Sequence, residues 1–431
     1  MKTRYAVGTA VLVAGLALSG CASSTQSDNG GDGGDSSGPV TLTFQSLAFQ
    51  APTIAATKKI VAEWNASHPD VHVQYVQGSW DSVQDQLVTQ FQGGTAPDII
   101  QYESAAMTAF ADQGYLADLT PYLSDDVKSA VSPGVWKTVT VDDKIIAAPT
   151  LLQSYLVFAD TDKLKAAGIP VPTGASWSWD DFQAAAKATT TGATYGVGWG
   201  LSSPTASMVS MGMNFGATFF EGTGSAATIS IGEPELALPE MIHAMAYDDK
   251  SIDPVSLSQS GGDVLPAFVH GKYAMTVQGS YAAQSILDTA PADFHWAVLP
   301  PLAADSASQS ANPQTLSVAA ESANVKDAAE FINFAMEPKN LAAVAEGDWL
   351  IPASSTAAAA VESDTGGANG WHQVLASGSA LTEAPYQSVA AYPQWKDQIA
   401  TPAFQQYFGN KISLDELKSK LTEGWSQVSG G

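Results

Sequence analysis

The sequence predicts an α/β protein with room for two lobes of ordinary domain size. Short strand-like runs alternate with segments of helical periodicity from Val40 onwards, the pattern of a sheet covered by helices. The chain has 431 residues, and a hydrophobic content of 45% with 14% charged residues is typical of a globular protein. Its only cysteine, Cys21, leaves no partner for a disulfide, so the core alone must hold the fold.

Three strands separated by helices predict the first lobe. Residues 40–44 alternate as a strand, and the helix after them ends before Pro69. Residues 71–76 alternate strictly as a second strand, and glycines 93–94 end the next helix. Residues 97–101 form the third strand, so the order of elements favours a parallel sheet.

Later segments add strands and two helix starts. A strand over residues 143–149 leads into a long extended apolar run over residues 150–158. Ser178 and Ser413 each stand three residues before an acidic side chain, which predicts capped helix starts at both positions. We expect the last helix, after Ser413, to pack one apolar stripe against the body of the protein.

The stretch from Gly271 to Tyr281 is central to the functional prediction. Residues 273–277 read as a buried strand, Gly279 permits a tight turn, and a helix begins near Ser280. Ser280 and Tyr281 would therefore lie at the carboxyl end of a sheet, where open α/β sheets bind small ligands.

The first 20 residues resemble the signal peptide of a bacterial lipoprotein. Lys2 and Arg4 precede an apolar run over residues 6–18, which is too short for a permanent membrane span and leads into Leu18-Ser19-Gly20-Cys21. This tetrapeptide resembles a lipobox, in which the cysteine is lipidated and becomes the first mature residue. We expect acyl chains on Cys21 to tether the protein to the outer face of the cell membrane.

Residues 21–39 are predicted to be a flexible linker. The segment consists of small and polar residues without a large apolar side chain, so it cannot bury surface. Its three aspartates, Asp28, Asp32 and Asp35, lack the bidentate glutamate of a calcium loop, and we expect no metal here.

The charge of the chain excludes some ligand classes. A net charge of −25 argues against nucleic acid, because binding to phosphates depends on lysine and arginine. Arg4, the only arginine, lies in the predicted signal peptide, which disfavours strongly anionic ligands although lysines or helix N-termini could still hold one. The 11 Trp, 13 Tyr and 15 Phe residues suit a sugar, whose C–H faces stack on aromatic rings.

Five groups of motifs follow one another along the chain. They are residues 68–73 with 94–99, residues 114–121, residues 148–158 with 168–172 and 179–182, residues 268–275 with 279–281 and 299–300, and residues 327–334 with 338 and 350–352. In this order, and behind a lipobox, they resemble the extracellular sugar-binding proteins of ABC importers. This is family 1 of the solute-binding proteins, which includes maltose-binding protein.

The resemblance implies a type II periplasmic-binding-protein-like fold, in which each lobe is a mixed sheet flanked by helices and the ligand binds in the cleft between the lobes. The implied lobes are residues 40–152 with 303–336 and residues 153–302 with 337–431, with chain crossings near Gln153, near Pro301 and between Met336 and Asn340. The resemblance also implies a monomer without cofactor or catalysis, which delivers a carbohydrate to the permease subunits of an ABC transporter.

The resemblance also suggests ligand-binding residues. Tyr281 corresponds to an aromatic residue, usually Trp in the family, that stacks on a sugar ring, and Glu103 follows the third strand where the family places an acidic residue. Gln153 lies where the chain crosses between lobes, and Tyr155 is close to it in sequence. The remaining candidates are polar or aromatic residues near predicted strand ends or loops: Ser280, Trp349, Trp199, Gln45, Trp80, Asp348 and Asn214.

Two alternatives remain open at this point. The same scaffold could bind a polyamine or a peptide, and the acidic composition suits a polyamine. A protein of another class, a secreted glycoside hydrolase, would use two carboxylates across a cleft. The chain contains no Gly-x-Ser-x-Gly, His-Glu-x-x-His, Walker or Gly-x-Gly-x-x-Gly motif.

Overall fold

The structure, a computed structural model, describes residues 39–430, which belong to one unit of the chain. The predicted signal peptide, Cys21 and most of the predicted linker lie outside the described residues. The strands run in chain order as β1 (Val40–Ser46), β2 (Val71–Gln77), β3 (Ile99–Glu103), β4 (Thr140–Val141), β5 (Lys144–Ile145), β6 (Ala148–Leu152), β7 (Tyr155–Asp160), β8 (Trp177–Ser178), β9 (Tyr195–Gly198), β10 (Phe220–Glu221), β11 (Thr228–Ile229), β12 (Tyr273–Gly279), β13 (Trp296–Val298), β14 (Leu302–Ala303), β15 (Gln309–Ser310), β16 (Gln314–Val318), β17 (Ile351–Pro352) and β18 (Leu381–Thr382).

The helices alternate with these strands. In chain order they are α1 (Ala51–Ser67), α2 (Val83–Gln92), α3 (Ser104–Asp112), α4 (Asp125–Ala130), α5 (Pro133–Lys137), α6 (Thr161–Ala166), α7 (Trp179–Thr189), α8 (Thr205–Gly212), α9 (Glu233–Tyr247), α10 (Gly261–Val269), α11 (Ala282–Thr289), α12 (Val325–Ala335), α13 (Pro338–Asp348), α14 (Ser355–Thr365), α15 (Trp371–Ser377), α16 (Tyr392–Gln394), α17 (Thr401–Phe408) and α18 (Leu414–Val428). A π-helical segment, Trp395–Ala400, joins α16 to α17, and short 3₁₀ turns occupy Met213–Phe215, Ser256–Ser258, Ala368–Gly370, Gly378–Ala380 and Pro385–Ser388.

The first sheet has six strands in the order β17-β6-β16-β3-β1-β2. β1 is parallel to β2 and β3, whereas β16 is antiparallel to β3 and β6, so the sheet is mixed rather than purely parallel. α1 covers it with an apolar face because Ile60, Val61 and Trp64 recur at helical spacing, and Trp64 packs edge-on against Phe331 at 5.5 Å. We call this sheet and the helices packed on it the first lobe.

The second sheet has four strands in the order β13-β7-β12-β9. β12 is buried along its whole length, which confirms the buried strand that the sequence predicted in this stretch. Gly198 is required on β9, because a Cβ atom there would lie 2.3 Å from the ring of Tyr273. The helix predicted near Ser280 begins at Ala282, with Tyr281 at its N-cap position.

The C-terminal helices complete the second lobe, which we define as the second sheet with the residues from 384 to 428. Leu417, Leu421 and Trp425 form the buried stripe of α18 that the sequence predicted, and they join one core with Val157 of β7 and Val277 of β12. The capping box predicted at Ser413 is present. Among the described residues, no helix is both long enough and apolar enough to cross a membrane.

The chain crosses between the sheets near Gln153, as the resemblance implied, but it returns to the first sheet later than residue 303. The extended run of residues 150–158 is two strands in different sheets, β6 and β7, with only Gln153 and Ser154 between them. The chain rejoins the first sheet only at Gln314, because β14 pairs with β8 and β15 pairs with β18.

A second difference concerns residues 337–431, which were expected in lobe 2. α13 packs against α1 through buried side chains such as Leu341 and Ala345, and β17 pairs with β6. Residues 338–352 therefore lie with the first lobe, because the apolar face of α13 finds its partner there.

Candidate functional site

Polar and aromatic side chains meet where the strand ends of the two lobes face each other. The strand β3 ends at Glu103, β12 ends at Gly279, and β7 begins at Tyr155. Several hydrogen bonds cross between the lobes at this junction, among them one from the Gln50 amide to the carbonyl oxygen of Tyr281 at 3.3 Å. The carboxyl ends of sheet strands are the usual place for ligands in α/β proteins.

Glu103 is the charged centre of this junction. Its Oε1 atom accepts a hydrogen bond from the Lys396 ammonium at 3.1 Å, and its Oε2 atom accepts one from the Asn312 amide at 3.0 Å. The side chains of Glu103 and Lys396 are 22% and 21% exposed, so the ion pair is mostly removed from water. The charge of Glu103 raises the pKa of Lys396, which keeps the ammonium protonated.

Two buried tyrosines, Tyr386 and Tyr392, and the partly buried Tyr155 lie near this ion pair. Burial raises the pKa values of Tyr155, Tyr386 and Tyr392 above their usual range, and the negative charge of Glu103 adds to the rise at each one. The rings of Tyr386 and Tyr392 lie 4.4 Å apart, and the Tyr386 hydroxyl is 2.8 Å from Ser310 Oγ. All three phenols therefore stay neutral and can donate a hydrogen bond.

Tyr281 lies beside Gln153 at the same junction. A Cβ atom on Gly279 would lie 2.4 Å from the Tyr281 ring and 2.8 Å from Gln153 Nε2, so only glycine permits this close approach. The Tyr281 ring meets Phe49 edge-on at 6.3 Å, and Phe49 is 56% exposed. A large aromatic side chain that exposed is uncommon, and here it extends the aromatic surface formed by Tyr281.

Gln45 and Ser280 each have an unsatisfied polar atom. Gln45 is 2% exposed and Ser280 is wholly buried, yet Gln45 Nε2 and Ser280 Oγ have no hydrogen-bond partner among residues 39–430. Gln45 lies near the end of β1, and Ser280 directly follows β12, so both flank the junction. A buried polar atom without a partner costs about 1–3 kcal/mol, which makes both atoms candidates for contact with a ligand.

The structure places Trp199 and Asn214 in the core of the second lobe rather than at this site. Trp199 is 1% exposed and its ring is parallel to that of Trp179. The Asn214 amide oxygen accepts a hydrogen bond from the Trp179 indole at 2.9 Å, and its amide nitrogen donates one to the Ser308 carbonyl oxygen at 2.7 Å. The structure therefore does not place either predicted residue at the ligand site. The glycines around Trp199 allow close packing and do not expose its ring.

Trp349 lies at a second contact between the lobes, and Asp348 precedes it at the end of α13. The buried Trp349 ring stacks on Trp371 at 4.4 Å, and its indole donates a hydrogen bond to Gln284 on α11 at 3.0 Å. Asp348 is buried and accepts a hydrogen bond from the Thr53 hydroxyl, and burial raises its pKa to about 6. The Trp349 indole bond links α13 to α11, whereas the Asp348 bond holds α13 on α1 within the first lobe, so both side chains are already engaged within the protein.

Trp80 is the predicted aromatic residue that remains half-buried in the first lobe. Its ring lies 5.9 Å from that of Tyr102 on β3, the strand that ends at Glu103. This position leaves part of the indole face available on the first-lobe side of the junction.

Sequence reasoning missed Lys396, Tyr386 and Tyr392. The segment from Tyr392 to Lys396 carries an isolated lysine beside aromatic residues, and that combination was the available signal. It was not informative alone, because Lys396 and Glu103 are 293 positions apart and only the tertiary fold brings them together.

A surface depression of about 910 Å³ lies elsewhere in the first lobe. Trp64, His68 and Phe334 line it together with polar residues of α4 and α14, and none of the predicted ligand residues contributes. Among residues 39–430, no group of His, Cys, Asp and Glu side chains could hold a metal ion.

Residues 50–342 match the family model described as bacterial extracellular solute-binding protein. The chain belongs to this family. This solute-binding protein is 40% identical over 422 residues to an uncharacterized lipoprotein in the oleD 5' region of Streptomyces antibioticus, a match that covers 97% of this chain and 91% of the relative. The family and this relative indicate an extracytoplasmic location.

Solved structures show the same two-lobed, type II fold. The GacH receptor of Streptomyces glaucescens, solved unliganded and with acarbose, has a TM-score of 0.73 at 20% identity and covers 91% of this chain and 99% of its own. A Listeria monocytogenes ABC substrate-binding protein solved with cycloalternan has a TM-score of 0.77 at 20% identity, with the same coverages. Maltose-bound MalE3 of T. maritima has a TM-score of 0.75 at 18% identity and covers 90% of this chain and 99% of its own. These relatives are binding proteins.

Proposed function

We propose that this solute-binding protein captures a carbohydrate, either a mono- or an oligosaccharide, outside the cell and delivers it to the permease of an ABC transporter. The observation that carries the proposal is the junction around Glu103, where a carboxylate and amide groups of the first lobe face tyrosines of the second lobe. Sugars need both chemistries, because their hydroxyls hydrogen-bond and their C–H faces stack on rings. The structural neighbours bound to acarbose, cycloalternan and maltose support this class of ligand.

The proposed ligand residues divide by role. Glu103, Gln153, Gln45 and Ser280 bind hydroxyl groups, and the unsatisfied atoms of Gln45 and Ser280 gain their missing partners from the ligand. Tyr281, with Trp80 on the opposite lobe, presents an aromatic face to a sugar ring. Closure of the two lobes by hinge bending brings both groups onto one ligand.

We also propose that the protein is a monomeric, lipid-anchored binder and not an enzyme. Acyl chains on Cys21 would hold it at the membrane, and residues 21–39 would let the lobes reach the permease. A binder releases its ligand unchanged, so chromatography of the sugar recovered after incubation should show no cleavage product. A hydrolysed or transferred glycoside would support the enzyme alternative instead.

Thermal denaturation of residues 39–431 against a ligand panel tests the proposal. The panel contains maltotriose, cellotriose, xylotriose, their monosaccharides, spermidine, amino acids and tripeptides. A ligand at about a hundred times its dissociation constant stabilises the folded state by roughly 2.7 kcal/mol, which gives a clear rise in Tm. A rise with a carbohydrate alone is the expected result. A rise only with spermidine or peptides would retain the fold and overturn the carbohydrate assignment.

A further inference from the structure

We propose that Lys396 is a specificity-determining residue, which makes the ligand site accept neutral, hydroxyl-rich ligands and reject cationic ones. This inference rests on the proposed function, because it takes Glu103 to be a ligand contact. The acidic composition of the chain left both a carbohydrate and a polyamine open as ligands. The inference is that Lys396 determines which of these two ligand classes binds.

The position of Lys396 is the first support. Its ammonium lies 3.1 Å from Glu103 Oε1 and 4.0 Å from Asp397 Oδ1. The carboxylate of Glu103 is therefore already paired with a cation from this chain, and the more exposed Asp397 is the second carboxylate near that cation. A cationic ligand that approached Glu103 would meet the ammonium of Lys396 at close range, and like charges in a mostly buried site repel strongly.

The anchoring of Lys396 is the second support. The preceding residue, Trp395, is wholly buried, donates a hydrogen bond from its indole to the Leu421 carbonyl oxygen at 3.1 Å, and packs on Phe220 at 5.0 Å. This fixes the π-helical segment Trp395–Ala400 on the core of the second lobe. Lys396 thus reaches from the second lobe to a carboxylate of the first, and π-helical turns are frequent at functional sites.

The chemistry of a neutral ligand fits this pair. A hydroxyl group can donate to the Glu103 carboxylate and accept from the Lys396 ammonium at the same time, so it bridges the pair without adding charge. The neighbouring tyrosines Tyr155 and Tyr386 are neutral phenols, so they supply no further counter-charge for a cationic ligand.

The test compares Lys396→Met with wild type and with Lys418→Met. Lys418 is exposed on α18 and serves as the matched control for loss of one lysine. Calorimetric titrations use maltotriose, cellotriose and xylotriose as neutral probes, and the glucosamine trimer at pH 6 and spermidine as cationic probes. We expect Lys396→Met to bind the neutral sugar about tenfold more weakly and a cationic probe about tenfold more tightly, while Lys418→Met matches wild type.

A second pair of variants covers the case in which Lys396→Met does not fold because Glu103 loses its partner. Lys396→Arg keeps the charge and should keep the preference for neutral ligands. The double variant Lys396→Met with Glu103→Gln removes both charges, and it should bind neutral and cationic probes with similar affinity. An unchanged ratio of neutral to cationic affinity in the double variant would overturn the inference.

The two possible failures are distinguishable. If wild type binds none of the neutral sugars, the proposed function is refuted, and so is this inference because it rests on that function. If wild type binds a neutral sugar and both Lys396→Met and the double variant keep the wild-type selectivity, the proposed function stands and only the role of Lys396 is refuted.

Discussion

The two lobes supply different chemistry to the junction between them. The first lobe contributes hydrogen-bonding groups, with Glu103 and Gln45 at the ends of its strands. The second lobe contributes rings, with Tyr155 and Tyr281 at the ends of its strands and Tyr386 in its C-terminal segment. The division is not complete, because Trp80 adds a ring to the first lobe and Ser280 adds a hydroxyl group to the second. Under the proposed function one sugar contacts both lobes, which couples occupancy of the site to their closure.

Each lobe borders the junction with an edge formed by its strand ends: the first-lobe edge carries Gln45 and Glu103, and the second-lobe edge carries Tyr155 and Tyr281. The two edges are held in place differently. Gln101 fixes the first-lobe edge by hydrogen bonds, since its side-chain oxygen accepts from Ser46 Oγ at 2.9 Å and its nitrogen donates to Gln314 at 2.8 Å. The second-lobe edge is fixed by packing, as in the contact of the Tyr281 ring with Gly279. The comparison predicts that substitutions on the first edge alter hydrogen bonding, whereas those on the second alter packing and stacking.

The largest expected effect separates a core ring of the second lobe, Trp199, from a half-buried ring of the first lobe, Trp80. Trp199→Ala should lower the free energy of unfolding by about 3–5 kcal/mol, because it opens a cavity in a packed core. Urea denaturation measures this loss, and Trp80→Ala, which removes a half-buried ring, is the control with a smaller expected loss. A stable Trp199→Ala protein that no longer binds sugar would restore Trp199 to the ligand site.

The second prediction concerns the pH dependence of stability. Burial raises the pKa of Asp348 from its ordinary 3.8 to about 6, so the folded state holds this proton more tightly than the unfolded chain does. Stability from this group is present below pH 4 and is lost as pH rises to 6, a difference of roughly 3 kcal/mol.

Asp348→Asn should remove this pH dependence, because the amide does not titrate. Urea denaturation at intervals between pH 4 and pH 7 measures the slope for wild type, for Asp348→Asn and for Asp70→Asn, an exposed control. Equal slopes in wild type and Asp348→Asn would show that Asp348 is not the titrating group.

The third prediction addresses the unsatisfied amide of the first-lobe edge. Gln45→Met should raise the free energy of unfolding by about 1–2 kcal/mol, because it removes a buried donor without a partner. The same change should weaken sugar binding, since the donor then no longer reaches a hydroxyl. Tm and calorimetric affinity measure the two effects, with the exposed Gln74→Met as control. A rise in Tm with unchanged affinity would exclude Gln45 from the site.

The smallest expected effect belongs to a single ring of the second-lobe edge. Tyr281→Ala should weaken sugar binding by about 1 kcal/mol, or about fivefold, because stacking on one ring contributes about that much. Tyr281→Phe keeps the ring and should bind nearly as wild type. Calorimetry of the two variants against the same sugar distinguishes stacking from a hydrogen bond of the hydroxyl group, for which Tyr281→Phe would be as weak as Tyr281→Ala.

Local pattern predicted elements better than it predicted contacts. The buried strand β12 and the capping box at Ser413 follow from composition and spacing alone, and the structure has both. The division of residues 150–158 between two sheets followed only from the family resemblance, because by local pattern one continuous apolar run fits a single strand equally well. Burial of Trp199 was likewise hidden, since flanking glycines suit an open loop and a closely packed strand end alike.

The ion pair of Glu103 with Lys396 marks the limit of sequence reasoning for the site. Glu103 could be predicted because the family resemblance implies an acidic residue after the third strand, at the edge of a sheet. Its partner could not, because that depends on how the C-terminal segment packs on the second lobe. The charge state of the site is therefore a property of the tertiary structure.

The most direct test of the account is calorimetric titration of one neutral sugar into wild type, Glu103→Gln and Tyr281→Ala. The account predicts that both substitutions, on opposite lobes, weaken binding of the same sugar, with the larger loss for Glu103→Gln because a charged hydrogen bond is stronger than the stacking of one ring. Wild-type affinity in either variant would contradict the central claim that one carbohydrate contacts both lobes.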